Sequence, residues 1–307
     1  MGPTASGKTE IALRLADEYP VELISVDSAL VYRGMDIGSA KPDAQTLQRA
    51  PHHLVDIIDP AEVYSAGQFR DDALDLMRRS TLNHRLPILV GGTMLYFNSL
   101  QKGMADMPAV DAAVKQAIEQ EASSKGILAM HHRLQSVDPV SARRIHPNDP
   151  QRIKRALEVF DFTGKTLTDF WRKQEQSPDN TGFPFRRIKI ALMPADRVEL
   201  RKRISLRLDN MFKQGFIEEV ETLFNRGDLH ADMPSIRAVG YRQVWAYLAG
   251  EYSYDEMRER AIIATAQLAK RQMTWLRKEL ECNFIEPEAL NTQKVLKILK
   301  ILTIIGG

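Results

Sequence analysis

The sequence predicts an α/β fold, a parallel β-sheet flanked by helices, with a helical insertion domain. Two short apolar runs, VELISV (21–26) and PILV (87–90), have the length of strands, and they stop at Asp27 and at a Gly-Gly pair. The segment that follows Thr9 instead carries apolar residues at helical spacing. Strands that alternate with helices form parallel sheets, and ligands bind beyond the carboxyl ends of such strands.

The character of the chain changes near residue 103, which predicts separate regions. From 103 to 185, strand-like runs disappear, and prolines and glycines break the helical stretches. The run RIKIALM (187–193) then predicts a strand that returns to the sheet. Long amphipathic helices are expected over 198–224, 235–248 and 254–278. We therefore expect an α/β core of 1–102 and 186–290, an insertion of 103–185, and a C-terminal tail of 291–307 without an assigned role.

Composition excludes several classes of protein. The 307 residues include 42 Lys and Arg against 40 Asp and Glu, so a net charge of +2 predicts no partner by itself. A single cysteine, Cys282, excludes a disulfide framework within the chain and a multi-cysteine metal site. No apolar window reaches the roughly 18 residues of a membrane span, and the N-terminus does not resemble a signal peptide. We expect a soluble cytoplasmic monomer.

A phosphate-binding motif stands at the start of the sequence. The octapeptide GPTASGKT fits the pattern GxxxxGK[ST] of a P-loop without a mismatch, so a P-loop NTPase-like sheet is predicted. Glycines let backbone N–H groups turn toward phosphate oxygens, and a helix that begins near Lys8 adds its positive end. Such a motif should follow a strand, and only Met1 precedes it here. The predicted phosphate ligands are Gly2, Pro3, Thr4, Ala5, Ser6, Gly7, Lys8 and Thr9, with Thr9 holding Mg²⁺.

A phosphate-binding loop does not by itself identify the reaction, because kinases, NTPases and some transferases share it. NTPases usually place a carboxylate at the end of a second apolar strand, but the run 87–90 ends in Gly-Gly-Thr. Asp27 is the one carboxylate that the pattern places opposite the loop. The residues therefore favour a use other than ATP hydrolysis, while an ATP-dependent small-molecule kinase stays open.

Five segments together resemble a known family. GPTASGKT (2–9), SVDSALVYRGMDIGSAKP (25–42), GGTMLYF (91–97), DPQRIKRALEV (149–159) and AVGYRQVWAYL (238–248) occur in the order found in tRNA dimethylallyltransferases of the bacterial type, also called tRNA isopentenyltransferases. The resemblance implies transfer of a dimethylallyl group from dimethylallyl diphosphate to N6 of adenosine 37, beside the anticodon of tRNA, with release of diphosphate. The P-loop would then hold diphosphate and Mg²⁺. A relative that prenylates free adenine nucleotides is the alternative, against which the long basic insertion argues.

The resemblance also implies roles for individual residues near the loop. Asp27 is the candidate general base, because an adenine amine is a weak nucleophile that must lose a proton as the new bond forms. Thr93 matches a catalytic, substrate-contacting position, although a threonine there also suits a plain helix N-cap. Ser28, Ala29 and Leu30 match a tRNA-contacting segment.

RNA binding is expected from local basic clusters, since the total charge is small. The range 143–155 holds five Arg and Lys residues and one Asp, and 186–207 holds eight against two acidic residues. Arg203 and Arg207 are four residues apart, and of the two Arg203 is assigned to the diphosphate. The remaining positions that the family resemblance assigns to tRNA are Lys115, Gln151, Arg152, Ile153, Lys154, Arg155, Arg237, Ala238, Val239, Gly240, Tyr241 and Arg242.

Overall fold

The computed structural model describes residues 1–105, 107–176 and 183–287. The chain forms two compact units: Met1–Leu100 together with the chain from Phe185 onward, and the intervening Gln101–Pro184. These limits lie within two residues of those expected for the core and the insertion. The predicted tail, 291–307, lies outside the described residues.

A small parallel sheet forms the centre of the first unit. Its strands are β1 (Val21–Val26), β2 (His52–His53) and β3 (Leu86–Gly91), in the order β2-β1-β3. Val21 pairs with Leu86 and Val26 with Gly91, so β1 and β3 end at the same edge. The α/β class, with predicted strands at 21–26 and 87–90, is confirmed.

Helices surround this sheet in the first unit. The helices in the N-terminal part are α1 (Lys8–Glu18), α2 (Ala44–Arg49), α3 (Ala66–Leu82) and α4 (Met94–Lys102). Ala12 of α1 packs on the buried Leu23 of β1, so the apolar face of this helix covers the sheet. The start of α1 at Lys8 places its N-terminal turn directly after the P-loop motif.

The second unit consists of helices joined by loops in the part that the structure describes. Its helices are α5 (Ala112–Lys125), α6 (Ile127–Val137), α7 (Pro139–Arg144), α8 (Pro150–Thr163) and α9 (Leu167–Gln176). Its core includes Ile118, Met130, Leu134 and Leu157. Asp138, at the start of α7, is only 4% exposed and accepts hydrogen bonds from the backbone and hydroxyl groups of Ser141 and Thr168.

The strand predicted within 187–193 forms, but it does not return to the first sheet. β4 (Lys189–Leu192) pairs in parallel with β5 (Cys282–Ile285) in a sheet of their own. Met1 continues this pairing, because its amino group donates to Ile190 O at 2.8 Å and its carbonyl accepts from Leu192 N at 2.9 Å. The prediction failed because β5 is four residues long, with an exposed Asn283 and Phe284, and so carries no clear strand signal.

Two of the predicted long helices are shorter than expected. The range 198–224 divides into α10 (Arg197–Lys213) and α11 (Phe216–Phe224), because Gly215 takes a φ of 96° that ends helical geometry. The helix predicted from 235 begins only with α12 (Tyr241–Leu248), after Gly240 at a φ of 97°. The long α13 (Tyr254–Leu276) follows the prediction closely. Within the described residues, none of the helices has the length and apolarity needed to cross a membrane.

Candidate active site

The loop that carries the predicted phosphate-binding motif, residues 2–9, is a tight turn that leads into α1. Ala5 and Gly7 have φ values of 60° and 80°, left-handed conformations that bend the backbone around the start of the helix. The N-cap residue of α1, Gly7, makes no side-chain capping bond, so within the described residues the first N–H groups of the helix are open to an anion. The Ser6 hydroxyl is 1% exposed and has no hydrogen-bond partner in the described part of the chain. A buried polar atom without a partner fits a site that completes its hydrogen bonds with a ligand.

Positive charge converges next to this loop. Lys8 is partly buried, and its Nζ lies 3.5 Å from Pro3 O. Burial lowers the pKa of Lys8, Asp27 opposes that shift, and Arg207 adds to it. Burial also lowers the pKa of Arg207, again opposed by Asp27. A bound anion would reverse these shifts, because it favours the charged form of each cation.

Asp27 follows β1 directly and supplies the carboxylate of this cluster. Its Oδ1 accepts the backbone N–H of Ala29 at 2.9 Å, so the side chain also shapes the turn that it begins. In the part of the chain that the structure describes, no donor bonds to Oδ2. A carboxylate with one oxygen committed to the turn and one available can both hold the loop and accept a proton.

Arg203 and Arg207, two of the arginines on α10, have different surroundings. Arg203 lies 3.6 Å from Glu199, one turn earlier on the same helix, and is partly exposed. Asp27 acts on Arg207, because its charge raises the pKa of that arginine against the effect of burial. The spacing alone does not distinguish the two arginines, because positions four apart share one face of a helix.

Thr93 joins the ends of β1 and β3. Its Oγ1 accepts the backbone N–H of Ser28 at 3.0 Å, and its own N–H donates to Val26 O at 3.1 Å. A Cβ on Gly91 would lie 2.0 Å from Val26 O, so only glycine permits this approach of the two strand ends. The Thr93 carbonyl also accepts from Tyr96 and Phe97 in the first turn of α4. The threonine therefore begins a helix and orients the loop after Asp27.

The segment RAVGYR (237–242) divides into exposed and buried positions. Arg237 and Arg242 are exposed, and Ala238 and Val239 are partly buried. Tyr241 is 0% exposed, and its hydroxyl donates to Glu219 at 2.6 Å. The ring of Tyr241 therefore belongs to the core, and the assignment of this segment to tRNA stays a prediction. The adjacent Gly240 is buried too.

Glu219 holds the loop that follows the predicted Ser28–Leu30 segment. Its carboxylate accepts three backbone N–H groups, from Asp36, Ile37 and Gly38, at 2.9, 2.6 and 3.1 Å. Lys41, whose side chain is 3% exposed, closes the same loop by bonding Tyr32 O and the carboxylates of Asp36 and Asp56. These bonds fix the backbone after Asp27, which leaves Ser28 exposed and Ala29 and Leu30 partly exposed.

In the insertion, the segment QRIKR (151–155) contributes residues to both the exposed and the buried face of α8. Gln151 is exposed, and Arg152, with 67% of its side chain exposed, lies 3.3 Å from Asp149. Arg155 lies 3.8 Å from Glu158 and is 41% exposed. Ile153 is 0% exposed and belongs to the core, as its place on the apolar stripe of the helix predicts. Helical geometry turns this position inward between two charged neighbours.

The structure also relates Lys115 to Lys154. Glu119, one turn after the exposed Lys115 on α5, accepts a hydrogen bond from Lys154 of α8 at 2.5 Å. Both lysines therefore belong to one surface of the insertion formed by α5 and α8. The family resemblance named the two positions separately, and it gave no indication of this proximity.

The sequence alone does not predict one residue that contacts two loops of the site. Gln272 of α13 bonds both Thr4 and Gly92, which are 268 and 180 residues away. A partly exposed glutamine within a helical, charge-rich stretch carries no local signal. Only the tertiary structure brings it to the site.

Comparisons with known proteins agree on one family. The family model described as IPP transferase matches residues 30–279. A tRNA dimethylallyltransferase from Thioalkalivibrio sulfidiphilus (strain HL-EbGR7) is 55% identical over 295 residues, covering 96% of this chain and 91% of that protein.

Solved structures share the fold. The tRNA isopentenylpyrophosphate transferase of Bacillus halodurans is 34% identical, with a TM-score of 0.70, and covers 98% of this chain and 93% of its own. A tRNA delta(2)-isopentenylpyrophosphate transferase from Staphylococcus epidermidis is 30% identical, also with a TM-score of 0.70, over 100% of this chain and 98% of its own. A eukaryotic dimethylallyltransferase acting on tRNA has a TM-score of 0.78 at 24% identity, over 93% of this chain and 72% of its own. The family indicated by the five sequence segments is confirmed, and this chain belongs to the IPP transferase family of prenyl-transferring enzymes.

Proposed function

We propose that this chain transfers a dimethylallyl group from dimethylallyl diphosphate to N6 of adenosine 37 in tRNA and releases diphosphate. The observation that carries the proposal is the uncapped N-terminus of α1, with Lys8 in its first turn and with Asp27, at the end of β1, interacting electrostatically with Lys8 and Arg207. Two cations and open N–H groups suit a diphosphate, and the carboxylate suits an acceptor amine that must lose a proton.

The diphosphate binds the P-loop of Gly2–Thr9 in this proposal. Backbone N–H groups at the start of α1 and the cations of Lys8 and Arg207 stabilise the negative charge that grows on the leaving group. The exposed hydroxyl of Thr9, in the first turn of the helix, is a neutral oxygen of the kind that Mg²⁺ accepts alongside phosphate oxygens. Mg²⁺ would supply further neutralisation of the diphosphate. Arg203, on α10 with Arg207, serves as a further cation for the diphosphate.

A P-loop used in this way need not hydrolyse a nucleotide. β3, the neighbour of β1, ends in Gly91-Gly92-Thr93 and so offers no carboxylate next to the loop. Instead, the Thr93 hydroxyl bonds Ser28 and holds the turn that contains Asp27. The end of β1 therefore supplies the proposed base, Asp27, and the end of β3 supplies Thr93, which supports it. This arrangement suits a group transfer.

Asp27 acts as the general base. As the bond from N6 to the allylic carbon forms and the bond from carbon to diphosphate breaks, the amine proton moves to the carboxylate. Because Oδ1 bonds the Ala29 N–H, Oδ2 is the oxygen placed to receive it. A general base typically contributes about 10²–10⁴-fold to the rate of such a step.

tRNA is the proposed acceptor, bound through exposed basic side chains in each unit. Arg237 and Arg242 serve in the first unit, and Lys115, Arg152 and Arg155 in the second. Phosphate contacts of this kind position an RNA, while the edges of splayed bases give specificity. The target adenosine leaves its stack to reach the carbon electrophile, which costs least in a single-stranded loop.

Mass spectrometry of nucleosides tests the reaction. Unmodified tRNA is incubated with the protein, Mg²⁺ and dimethylallyl diphosphate, then digested, with AMP as a parallel acceptor. The expected product is N6-dimethylallyl adenosine from tRNA and none from AMP. Product from AMP alone, or consumption of ATP in place of dimethylallyl diphosphate, would overturn the proposal in favour of a free-nucleotide prenyltransferase or a kinase.

A further inference from the structure

A glutamine on α13 connects two loops of the candidate active site. The Gln272 Oε1 accepts the backbone N–H of Thr4 at 2.9 Å, and its Nε2 donates to Gly92 O at 2.9 Å. Thr4 lies inside the P-loop, and Gly92 immediately precedes Thr93. A single amide group therefore bonds the phosphate-binding loop and the turn that supports the base.

The contact is tight on the side of Gly92. A Cβ at this position would lie 2.5 Å from Gln272 Nε2 and 3.0 Å from Gly2 O. The glycine thus allows the P-loop, the end of β3 and the glutamine to meet at one point. The long separations in sequence mean that no local element imposes this geometry.

We propose that Gln272 is a positioning residue that sets the P-loop for diphosphate, acting through Thr4 and Gly92 and not by contact with RNA. The inference rests on the proposed function, because it assigns the diphosphate to the P-loop. The loop must direct its remaining N–H groups toward one small anion, so a fixed Thr4 backbone lowers the cost of ordering the loop on binding. The bond from Gln272 to Gly92 O also connects the P-loop to Thr93, which follows Gly92 and bonds Ser28.

An amide is required because one partner is a hydrogen-bond donor and the other is an acceptor. Thr4 offers a donor and Gly92 an acceptor, and only a side chain with both functions satisfies them. Glutamate could accept from Thr4 but would face the Gly92 carbonyl with a carboxylate oxygen. Methionine has a similar shape and forms neither bond, so it separates hydrogen bonding from packing.

Diphosphate binding is the direct test. Inorganic diphosphate with Mg²⁺ is titrated calorimetrically into the full-length protein and its variants Gln272→Met and Gln272→Glu. Gln267→Ala, at an exposed position on the same helix, is the matched control. Without the two bonds the loop must be ordered on binding, and we expect roughly 10-fold weaker diphosphate binding for Gln272→Met. Binding should weaken further for Gln272→Glu and stay unchanged for the control.

tRNA affinity and the melting temperature distinguish positioning from other roles. We expect Gln272→Met to bind tRNA as the parent does and to melt within a few degrees of it. Unchanged diphosphate affinity overturns the inference, and so does a loss confined to tRNA, which would make Gln272 an RNA contact. Loss of folded structure in Gln272→Met would equally overturn it, in favour of a role in folding.

The same samples keep this inference separate from the proposed function. If the parent protein makes no N6-dimethylallyl adenosine yet binds diphosphate in a Gln272-dependent way, the proposed reaction fails and the positioning role stands. If the parent protein makes the product and Gln272→Met has its parent's diphosphate affinity and its KM for dimethylallyl diphosphate, the positioning role alone fails.

Discussion

Tyr241 donates its hydroxyl hydrogen to Glu219 across 2.6 Å, and the same carboxylate accepts three backbone N–H groups from residues 36–38. Burial raises the pKa of Tyr241 well above its ordinary value, and the neighbouring Glu219 raises it further. The phenol therefore stays protonated and remains a donor. Tyr241 lies in a segment that resembles an RNA contact, yet its hydroxyl stabilises the loop of residues 36–38 through Glu219.

Tyr241→Phe should reduce stability and leave RNA binding unchanged. The ring keeps its edge-to-face contact with Phe216, at a centroid distance of 5.1 Å, while Glu219 loses one of its donors. We expect the free energy of unfolding to fall by about 0.5–1.5 kcal/mol, measured by urea denaturation. A large loss of tRNA affinity at unchanged stability would instead place the hydroxyl on the RNA.

Local patterns predicted the parts of this fold that depend on neighbouring residues. The P-loop octapeptide, the start of α1 at Lys8 and the strands 21–26 and 87–90 follow from residue type and spacing. The inward position of Ile153 also follows from helical spacing. Periodicity alone therefore predicts which residues of α8 are buried.

The remaining features depend on contacts between distant residues, which spacing does not encode. β5 is recognisable only through its pairing with β4. Glu219 and Gln272 each look like ordinary polar residues on a helix, yet they bond backbone groups about 180 residues away or more. The interaction of Arg207 with Asp27 also depends on tertiary structure, because the two residues lie far apart in the sequence.

Asp27→Asn should abolish most turnover while diphosphate binding persists. Asparagine can still accept the Ala29 N–H, so the turn is kept, but it cannot take up the amine proton. We expect kcat to fall by about 10²–10⁴-fold in a tRNA prenylation assay. Since a negative charge leaves the neighbourhood of Lys8 and Arg207, diphosphate should bind at least as tightly as to the parent. Activity within a few-fold of the parent would exclude Asp27 as the base.

Arg207→Ala should weaken diphosphate binding more than Arg203→Ala. Both arginines lie on α10, so each variant serves as the control for the other. A charge-assisted hydrogen bond contributes about 1.5–3 kcal/mol, which predicts roughly 10–100-fold weaker binding for Arg207→Ala in calorimetry with Mg²⁺. A larger effect at Arg203 would show that the partly exposed arginine holds the diphosphate.

Arg152→Ala should weaken tRNA binding and reduce its dependence on salt. The side chain is 67% exposed and only loosely paired with Asp149, so it is available to a phosphate. Loss of one phosphate contact should lower the slope of log K against log salt by about 1, measured by filter binding. Arg79→Ala is the control, because its side chain is 63% exposed and pairs with Asp75. Equal slopes for Arg152→Ala and the parent would contradict an RNA contact on this face of α8.

Asp138→Asn should destabilise the insertion in a pH-dependent way. Although burial raises the pKa of Asp138, the hydrogen bonds from Ser141 and Thr168 outweigh it and leave that pKa below its ordinary value. The stability that the carboxylate contributes is therefore present above its unfolded pKa of about 3.9, and it disappears as the pH falls through the lower, folded pKa. Because an asparagine NH₂ would face N–H and O–H donors, we expect the variant to lose about 1–3 kcal/mol of unfolding free energy in urea at neutral pH. This difference should shrink as the pH falls below the unfolded value. A difference that stayed constant across this range would show that the charge of Asp138 contributes nothing to the stability of α7 and α9.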